Sequence, residues 1–240
     1  MSDWRIQHGK VMADFMAYIN ENTTDFVLKG GTALYLCYNL DRFSEDIDLD
    51  GRAKGLIDLT AGFCEKYGYS FRTAKDTQTV ERCFVNYGNE GKPLKVEASF
   101  RRREIPENET DRVNGILVYR IEPLCVMKIN AYAGRDKIRD LYDVTFICNR
   151  YFDNLSSQTV ALLRGAVEYK GIEQFDFIIK DQDDDLIDSE KLAVDFLNMH
   201  DRLGLLYSED ESQRLAETVS GLEKHGDCSN KSDFQNNMTL

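Results

Sequence analysis

The pattern of hydrophobic and polar positions divides the chain into a first part that mixes strands and helices and a second part that is helical. Apolar side chains recur at helical spacing over residues 4–20 and 56–67, and Gly68 follows the second of these runs. A third, shorter helix is predicted over 32–38. Short apolar or alternating runs predict six strands, which are 26–29, 46–49, 69–74, 82–87, 94–100 and 116–120. This order of elements predicts an α+β fold with a mixed β-sheet flanked by helices.

The pattern changes after Pro123, a residue that suits the first turn of a helix because its missing N–H is not needed there. Helical periodicity then continues almost to the end of the chain. The predicted helices are 123–133, 138–150, 156–169, 190–203 and 209–224. We therefore predict a core domain over residues 1–122 and a C-terminal helical domain over 123–225. Residues 226–240 are polar and lack periodicity, so we expect a flexible tail there.

Composition indicates a globular protein, since 42% of the 240 residues are hydrophobic and 30% are charged. No apolar run approaches the roughly 20 residues that a membrane-spanning helix needs. The N-terminal segment is amphipathic and has no apolar signal core. The six cysteines form no Cys-x-x-Cys pair, which argues against a zinc site or a disulfide framework. We expect a cytoplasmic protein with no membrane partner.

The formal net charge of −12 limits how the chain could bind nucleic acid. Proteins that hold nucleic acid by charge alone are usually basic, so nonspecific coating of DNA is excluded. Binding through a local basic patch stays open, and the run Arg101–Arg103 could contact an RNA backbone or be a solvated turn. The cluster of Arg135, Lys137 and Arg139, flanked by Asp136 and Asp140, indicates a salt-bridged helix surface.

Candidate chemistry is concentrated between a turn at Gly30-Gly31-Thr32 and the strand that carries Asp46 and Asp48. A strand repeats every two residues, so the two carboxylates share one face and repel each other unless a cation binds there. Mg²⁺ typically combines one or two carboxylates with substrate phosphates. The glycines permit close approach of the backbone, and the helix that follows favours a phosphate at its N-terminus. Either feature alone would be an ordinary turn or strand edge, but together they predict a nucleotidyltransferase core.

Two further residues are candidates for the same chemistry. Two-metal phosphoryl transfer commonly uses a third carboxylate, and Glu97 is the best candidate because it lies on an alternating strand beside Lys95. The alternative is an ordinary exposed glutamate in a half-buried strand. Lys128 lies in the apolar run PLCVMKINAYA. Its side chain either reaches solvent or faces a triphosphate, where its charge would stabilise the leaving pyrophosphate.

The segment LKGGTALYLCYNLDRFSEDIDLD resembles the first motif of the AbiEii/AbiGii toxin family, which belongs to the DNA-polymerase-β-like nucleotidyltransferase superfamily. The matching residues are Gly30, Gly31, Thr32, Arg42, Ser44, Asp46 and Asp48. A second motif of the family is similar to KINAYAGRDKIRDLYDV. Its matching residues are Lys128, Arg135, Lys137, Arg139, Asp140, Tyr142 and Asp143. The resemblance covers residues 26–150 and implies a nucleotidyltransferase fold followed by a helical region.

The resemblance also implies roles for individual residues. The implied catalytic residues are Asp46, Asp48, Lys128 and Asp143. The implied nucleotide-binding residues are Gly30, Gly31, Thr32, Ser44 and Lys128. The implied metal ligands are Asp46, Asp48 and Glu97. Asp143 is a candidate to orient Lys128 or the acceptor hydroxyl.

The function implied is a Mg²⁺-dependent transfer of a nucleoside monophosphate from a nucleoside triphosphate to an acceptor hydroxyl. By resemblance, the chain would be the toxin of a toxin–antitoxin pair, with a separate antitoxin protein and an RNA such as tRNA as acceptor. One alternative is a small-molecule or protein nucleotidyltransferase outside any toxin system, which the acidic net charge leaves open. Another is a noncatalytic nucleotide-binding regulatory protein, against which the intact pair of aspartates argues.

Overall fold

The computed structural model describes residues 3–88, 92–182 and 184–205. The chain divides into two compact units, of which the first ends at Met127 and the second begins at Lys128. The domain limits expected from sequence, 1–122 and 123–225, stay predictions. The predicted helix 209–224 and the predicted tail 226–240 lie outside the described residues.

The first unit mixes helices and strands in the order that the sequence pattern predicts. Its elements are α1 (Asp3–Asn22), β1 (Phe26–Lys29), α2 (Gly30–Cys37), β2 (Asp46–Gly51), α3 (Leu56–Tyr67), β3 (Ser70–Asp76), β4 (Val80–Asn86), β5 (Leu94–Ser99), β6 (Thr110–Val113) and β7 (Ile116–Tyr119), and α4 (Ile121–Gly134) continues into the second unit. Strand β6 was not predicted, because its charged residues Asp111 and Arg112 interrupt any apolar pattern. Helix α2 begins at Gly30, two residues before its predicted start.

The strands form one seven-stranded sheet in the order β3-β4-β5-β2-β1-β7-β6. Strand β2 lies between β5, which is parallel to it, and β1, which is antiparallel. Strand β1 is in turn parallel to β7, with Leu28 opposite Val118. The sheet is therefore mixed and flanked by helices, which confirms the predicted α+β fold class. The strand that carries the candidate aspartates has a neighbour on both sides.

Alternation along β2 sends its apolar and polar side chains to opposite faces of the sheet. Ile47 and Leu49 are fully buried, whereas Asp46 and Asp48 are partly exposed. Elsewhere in the core, Phe15 of α1 packs edge-on against Phe63 of α3, with ring centroids 5.0 Å apart. Each such buried apolar side chain stabilises the fold by about 1.5–3 kcal/mol. One face of β2 therefore packs into the core, and the opposite face carries the carboxylates of Asp46 and Asp48.

The second unit is helical over the residues described. After the end of α4 it contains α5 (Ile138–Tyr151), α6 (Ser157–Asp181) and α7 (Ser189–Arg202). Helix α6 continues past its predicted end at residue 169 because Gly171, with φ +70° and ψ 170°, joins two helical segments across a kink. Phe175 of α6 stacks on Phe196 of α7, with ring centroids 4.1 Å apart.

None of the helices that the structure describes has both the length and the apolar character needed to cross a membrane.

Candidate active site

The turn between β1 and α2 lies directly against the carboxylate of Asp48. Gly30 has φ +75°, and a Cβ atom at this position would lie 3.2 Å from Asp48 Oδ2. A Cβ atom on Gly31 would lie 2.9 Å from Arg42 Nη2, which is too close for any other residue type without movement. No side chain caps the N-terminus of α2. Its first backbone N–H groups are therefore not held by a capping side chain, which makes them suitable donors to an anionic group.

Buried polar side chains fix the segment that leads into β2. Thr32 Oγ1 donates a hydrogen bond to the backbone carbonyl of Asp46 and lies 2.8 Å from Ser44 Oγ. Arg42 Nη1 donates to the carbonyl of Phe43 at 3.1 Å. These contacts place Asp46 at the start of β2, next to the glycine turn. Thr32 and Ser44 have protein partners here, and a direct contact of either with a nucleotide stays a prediction.

Asp46 and Asp48 lie side by side at the solvent-facing end of β2. Their side chains are 46% and 41% exposed, so a ligand can reach both. Lys95 Nζ lies 2.8 Å from Asp46 Oδ2 and 3.9 Å from Asp48 Oδ1. Partial burial raises the pKa of the Asp48 carboxyl, the charges of Lys95 and Lys29 lower it, and the nearby negative charges of Asp46 and Glu97 raise it. The pair is thus a concentrated negative charge that favours a cation.

Glu97 lies on β5 directly opposite Asp48 in the strand register. Its Oε2 atom accepts a hydrogen bond of 2.5 Å from Arg82 Nε of β4. Within residues 3–88, 92–182 and 184–205 no three or more Asp, Glu, His or Cys side chains are arranged to hold a metal ion. The two exposed aspartates nevertheless fit Mg²⁺, which needs only one or two carboxylates when substrate phosphates complete its shell. Glu97 as a third ligand stays a prediction.

A third aspartate of β2, Asp50, was not considered from sequence and proves to belong to the same polar face. It is buried, its Oδ1 lies 2.5 Å from Lys29 Nζ, and its Oδ2 accepts a hydrogen bond of 2.9 Å from the Tyr119 hydroxyl. The alternation Asp46, Asp48, Asp50 was a visible signal in the sequence. Asp50 fixes the ammonium of Lys29, the residue immediately before the glycine turn.

His8 is a second residue that the sequence analysis missed, since three scattered histidines gave no pattern. The structure buries its ring between α1 and the start of β2. His8 Nε2 lies 2.7 Å from the carbonyl oxygen of Glu45, and Nδ1 lies 2.5 Å from the Tyr87 hydroxyl. In the neutral tautomer with a proton on Nε2, the ring donates to Glu45 and accepts from Tyr87. His8 thereby anchors the residue that immediately precedes Asp46.

We expect His8→Gln to reduce the loss of unfolding free energy that occurs when the pH falls from 7 to 5. Burial lowers the pKa of His8, against the opposing effects of the Glu45 carbonyl hydrogen bond and the charges of Glu45 and Asp46, while Lys92 lowers it further. The unfolded chain binds the proton near pH 6.5, so wild-type stability falls as the pH drops below that value and through the folded-state pKa.

Urea unfolding at pH 7 and pH 5 measures this effect as the difference in free energy of unfolding between the two conditions. That difference should be smaller in His8→Gln than in the wild type. An equal difference in both proteins would show that protonation of His8 does not cause the loss of stability at low pH.

In the second unit, the two implied catalytic residues form an ion pair between α4 and α5. Lys128 Nζ lies 2.6 Å from Asp143 Oδ2. The side chains are 11% and 0% exposed, so the pair is almost completely removed from water. Lys128 is therefore no freely solvated lysine. Its contact with Asp143 is compatible with the orienting role that the family resemblance implies, and the catalytic roles of both residues stay predictions.

The basic run after α4 is engaged in ion pairs with acidic side chains. Arg135 contacts both carboxylate oxygens of Asp140, at 2.5 and 2.9 Å. Arg139 contacts both oxygens of Asp184, at 2.5 and 3.3 Å. These residues line a cavity of about 580 Å³ together with Lys137. These ion pairs agree with the salt-bridged surface that the sequence indicates for this run.

A mixed sheet that places a glycine-rich helix start beside paired aspartates defines the class of protein as a nucleotidyltransferase. More specifically, the chain belongs to the AbiEii family, described as the nucleotidyl transferase AbiEii toxin of type IV toxin–antitoxin systems, whose family model matches residues 14–219. The match confirms the family suggested by the two sequence motifs. It also extends well beyond residues 26–150, over which those motifs were recognised.

Solved structures from Helicobacter pylori support the same class. JHP933 is 26% identical, with a TM-score of 0.71 over 94% of this chain and 99% of JHP933. A structure described as a "putative nucleotidyltransferase" is 27% identical, with a TM-score of 0.69 over 87% of this chain and 100% of that one. No curated protein matches the chain. Family and structural likeness together establish the fold class and the enzyme class.

Proposed function

We propose that this enzyme uses Mg²⁺ to transfer a nucleoside monophosphate from a nucleoside triphosphate to an acceptor hydroxyl, with release of pyrophosphate. The observation that carries the proposal is the pair of partly exposed aspartates, Asp46 and Asp48, beside the start of α2, which no side chain caps. Carboxylates bind the metal that accompanies a triphosphate, and backbone N–H groups bind its phosphate oxygens. Groups that suit both the metal and the phosphates of a metal–nucleotide complex thus lie in one unit.

Different residues of this site would bind the metal and the phosphate groups. Asp46 and Asp48 would hold Mg²⁺, with Glu97 as third ligand once Arg82 releases it. Bound Mg²⁺ would supply positive charge that activates the attacking oxygen and stabilises the leaving pyrophosphate. Gly30 and Gly31 allow phosphate groups to approach the backbone closely.

Lys128 is proposed as a further cation for the triphosphate. Asp143 has no exposed side-chain surface and contacts Lys128, which suits the orientation of that lysine better than proton transfer from an acceptor. We therefore assign Asp143 a positioning role. The ammonium would stabilise negative charge that develops on pyrophosphate as the bond to the α-phosphorus breaks.

Family membership supports a role as the toxin of a toxin–antitoxin system with a separate antitoxin protein, and we propose a cytoplasmic location for it. We propose an RNA, such as tRNA, as the acceptor. The net charge of −12 and the ion-paired arginines mean that an RNA would be held by local contacts rather than by overall charge. The same observations favour, as a second candidate, transfer to a small molecule or a protein.

A labelling experiment separates these candidates. The protein is incubated with Mg²⁺ and each α-labelled triphosphate in turn, together with total RNA, total protein or a metabolite extract. Label in RNA supports the proposal, and label only in protein or small molecules supports the second candidate. No label with any triphosphate, in the presence of all three acceptor pools, would favour a noncatalytic nucleotide-binding protein.

We expect Mg²⁺ and a triphosphate together to raise the melting temperature more than the sum of their separate effects. A ligand at a hundred times its Kd adds about 2.7 kcal/mol to the stability of the folded state. The metal alone should bind weakly, because Asp46 and Asp48 provide only part of its shell. Thermal-shift titrations with all four triphosphates test this, with EDTA reversing the effect. An absence of any shift in the wild type would contradict the proposed site.

A further inference from the structure

Each of the three carboxylates proposed as metal ligands has a positively charged side chain beside it. Lys95 contacts Asp46 at 2.8 Å and lies 3.9 Å from Asp48, and Arg82 contacts Glu97 at 2.5 Å. Strand register sets these contacts, because Lys95 is opposite Asp46 across β5 and β2, and Arg82 is opposite Glu97 across β4 and β5. The pairing of the strands therefore fixes the positions of Lys95 and Arg82 beside these carboxylates.

The ion pairs of Lys95 differ from ordinary surface ion pairs in their burial and in the number of carboxylates involved. Its side chain is 25% exposed and its ammonium faces two carboxylates at once. A divalent cation held by the same two carboxylates would lie within a few ångströms of that ammonium. Like charges at about 4 Å repel strongly near a protein surface. The metal and the ammonium therefore compete for Asp46 and Asp48.

We propose that Lys95 is a displaceable counter-ion, which neutralises Asp46 and Asp48 in the metal-free enzyme and binds the triphosphate after the metal displaces it. This inference rests on the proposed function of the same site. The phosphate oxygens that arrive with the metal are negatively charged acceptors, and a lysine released from a carboxylate remains within the length of its own side chain from the site. Each ligand thereby assists the other, since the metal frees the lysine and the triphosphate binds it.

Lys29 offers a contrast within the same face of the sheet. Its ammonium contacts Asp50, which is buried and also accepts a hydrogen bond from Tyr119. Removal of a cation from a buried carboxylate is costly, whereas Asp46 is 46% exposed and can be rehydrated. Lys29 should therefore remain in place while Lys95 moves.

Calorimetric titration of Mg²⁺ into nucleotide-free protein tests the first step. We expect Lys95→Met to bind Mg²⁺ roughly tenfold or more tightly than the wild type, because the competing charge is gone. Lys92→Met is the matched control. It removes the same charge from a lysine that is 52% exposed and pairs with Glu45 at 3.4 Å, so Mg²⁺ affinity should change little.

Titration of a non-hydrolysable triphosphate analogue at saturating Mg²⁺ tests the second step. Here Lys95→Met should bind the analogue roughly tenfold more weakly, which reverses the sign of the first effect. Far-UV circular dichroism checks that the variants are folded, and Lys95→Gln provides a second neutral variant if Lys95→Met does not fold.

The results separate the inference from the function on which it rests. A wild type that binds neither Mg²⁺ nor the Mg²⁺–analogue complex overturns the proposed function itself. A wild type that binds both, with Lys95→Met or Lys95→Gln no tighter for Mg²⁺ or no weaker for the analogue, overturns the role of Lys95 alone. Opposite changes in the two titrations, absent from Lys92→Met, support it.

Discussion

Asp48→Asn is expected to abolish nucleotidyl transfer while leaving the fold intact. Asparagine keeps the shape of the side chain against Gly30 but removes the charge that would hold the metal. The loss should amount to several kcal/mol of transition-state stabilisation, which is the order of a catalytic metal's contribution. Burial and the charges of Asp46 and Glu97 all raise the pKa of Asp48, so a neutral side chain removes an unfavourable interaction. The metal-free variant should therefore unfold at a temperature no lower than the wild type.

Initial rates of label transfer at saturating Mg²⁺ and triphosphate measure the effect. Asp58→Asn is a matched control, because Asp58 is an exposed residue in the first turn of α3 and the substitution makes the same change of charge. It should leave the rate unchanged. Near-normal turnover in Asp48→Asn would show that the active site lies elsewhere.

Lys128→Met is expected to reduce both turnover and stability. Removal of one partner from a buried ion pair costs about 3–5 kcal/mol, since Asp143 would remain buried without the ammonium. Lys128→Arg keeps the charge but has a wider, planar head, so it should recover part of the stability and little of the turnover.

The double variant Lys128→Met/Asp143→Leu separates the structural role of the pair from its catalytic role. Replacing both charges with apolar groups often restores stability, so its free energy of unfolding by urea should approach that of the wild type. Its rate of transfer should stay as low as that of Lys128→Met. A stable double variant with wild-type turnover would remove both residues from the active site.

The central part of the candidate site could be predicted because its signal is local. The two-residue period of β2 places Asp46 and Asp48 on one face, and the apolar residues Ile47 and Leu49 identify the buried face. The glycine turn is equally visible, because Gly30 and Gly31 stand between an apolar strand and an apolar helix. These features required no knowledge of how distant segments pair.

The contacts of Lys95 and Arg82 with the carboxylates could not be predicted, because they depend on the pairing of distant segments. The alternation of β5 shows that Lys95 and Glu97 share a face, but only the register against β2 and β4 brings Lys95 to Asp46 and Arg82 to Glu97. The contact of His8 with Glu45 likewise depends on the packing of α1. Periodicity within one segment contains no information on the partner of that segment.

The order of strands in the sheet has a consequence for the newly made chain. Strands β3 and β4 each pair with the next strand in the chain and can form hairpins early, whereas β2 also pairs with the distant β5, and β1 with the distant β7, in which Val118 faces Leu28. Pairings between distant segments form late because long loops must close first. Until β5 has been synthesised, Asp46 and Asp48 therefore have β1 but not β5 as a neighbouring strand. A chain with this topology therefore cannot complete the strand order around Asp46 and Asp48 until β5, which ends at Ser99, has been translated.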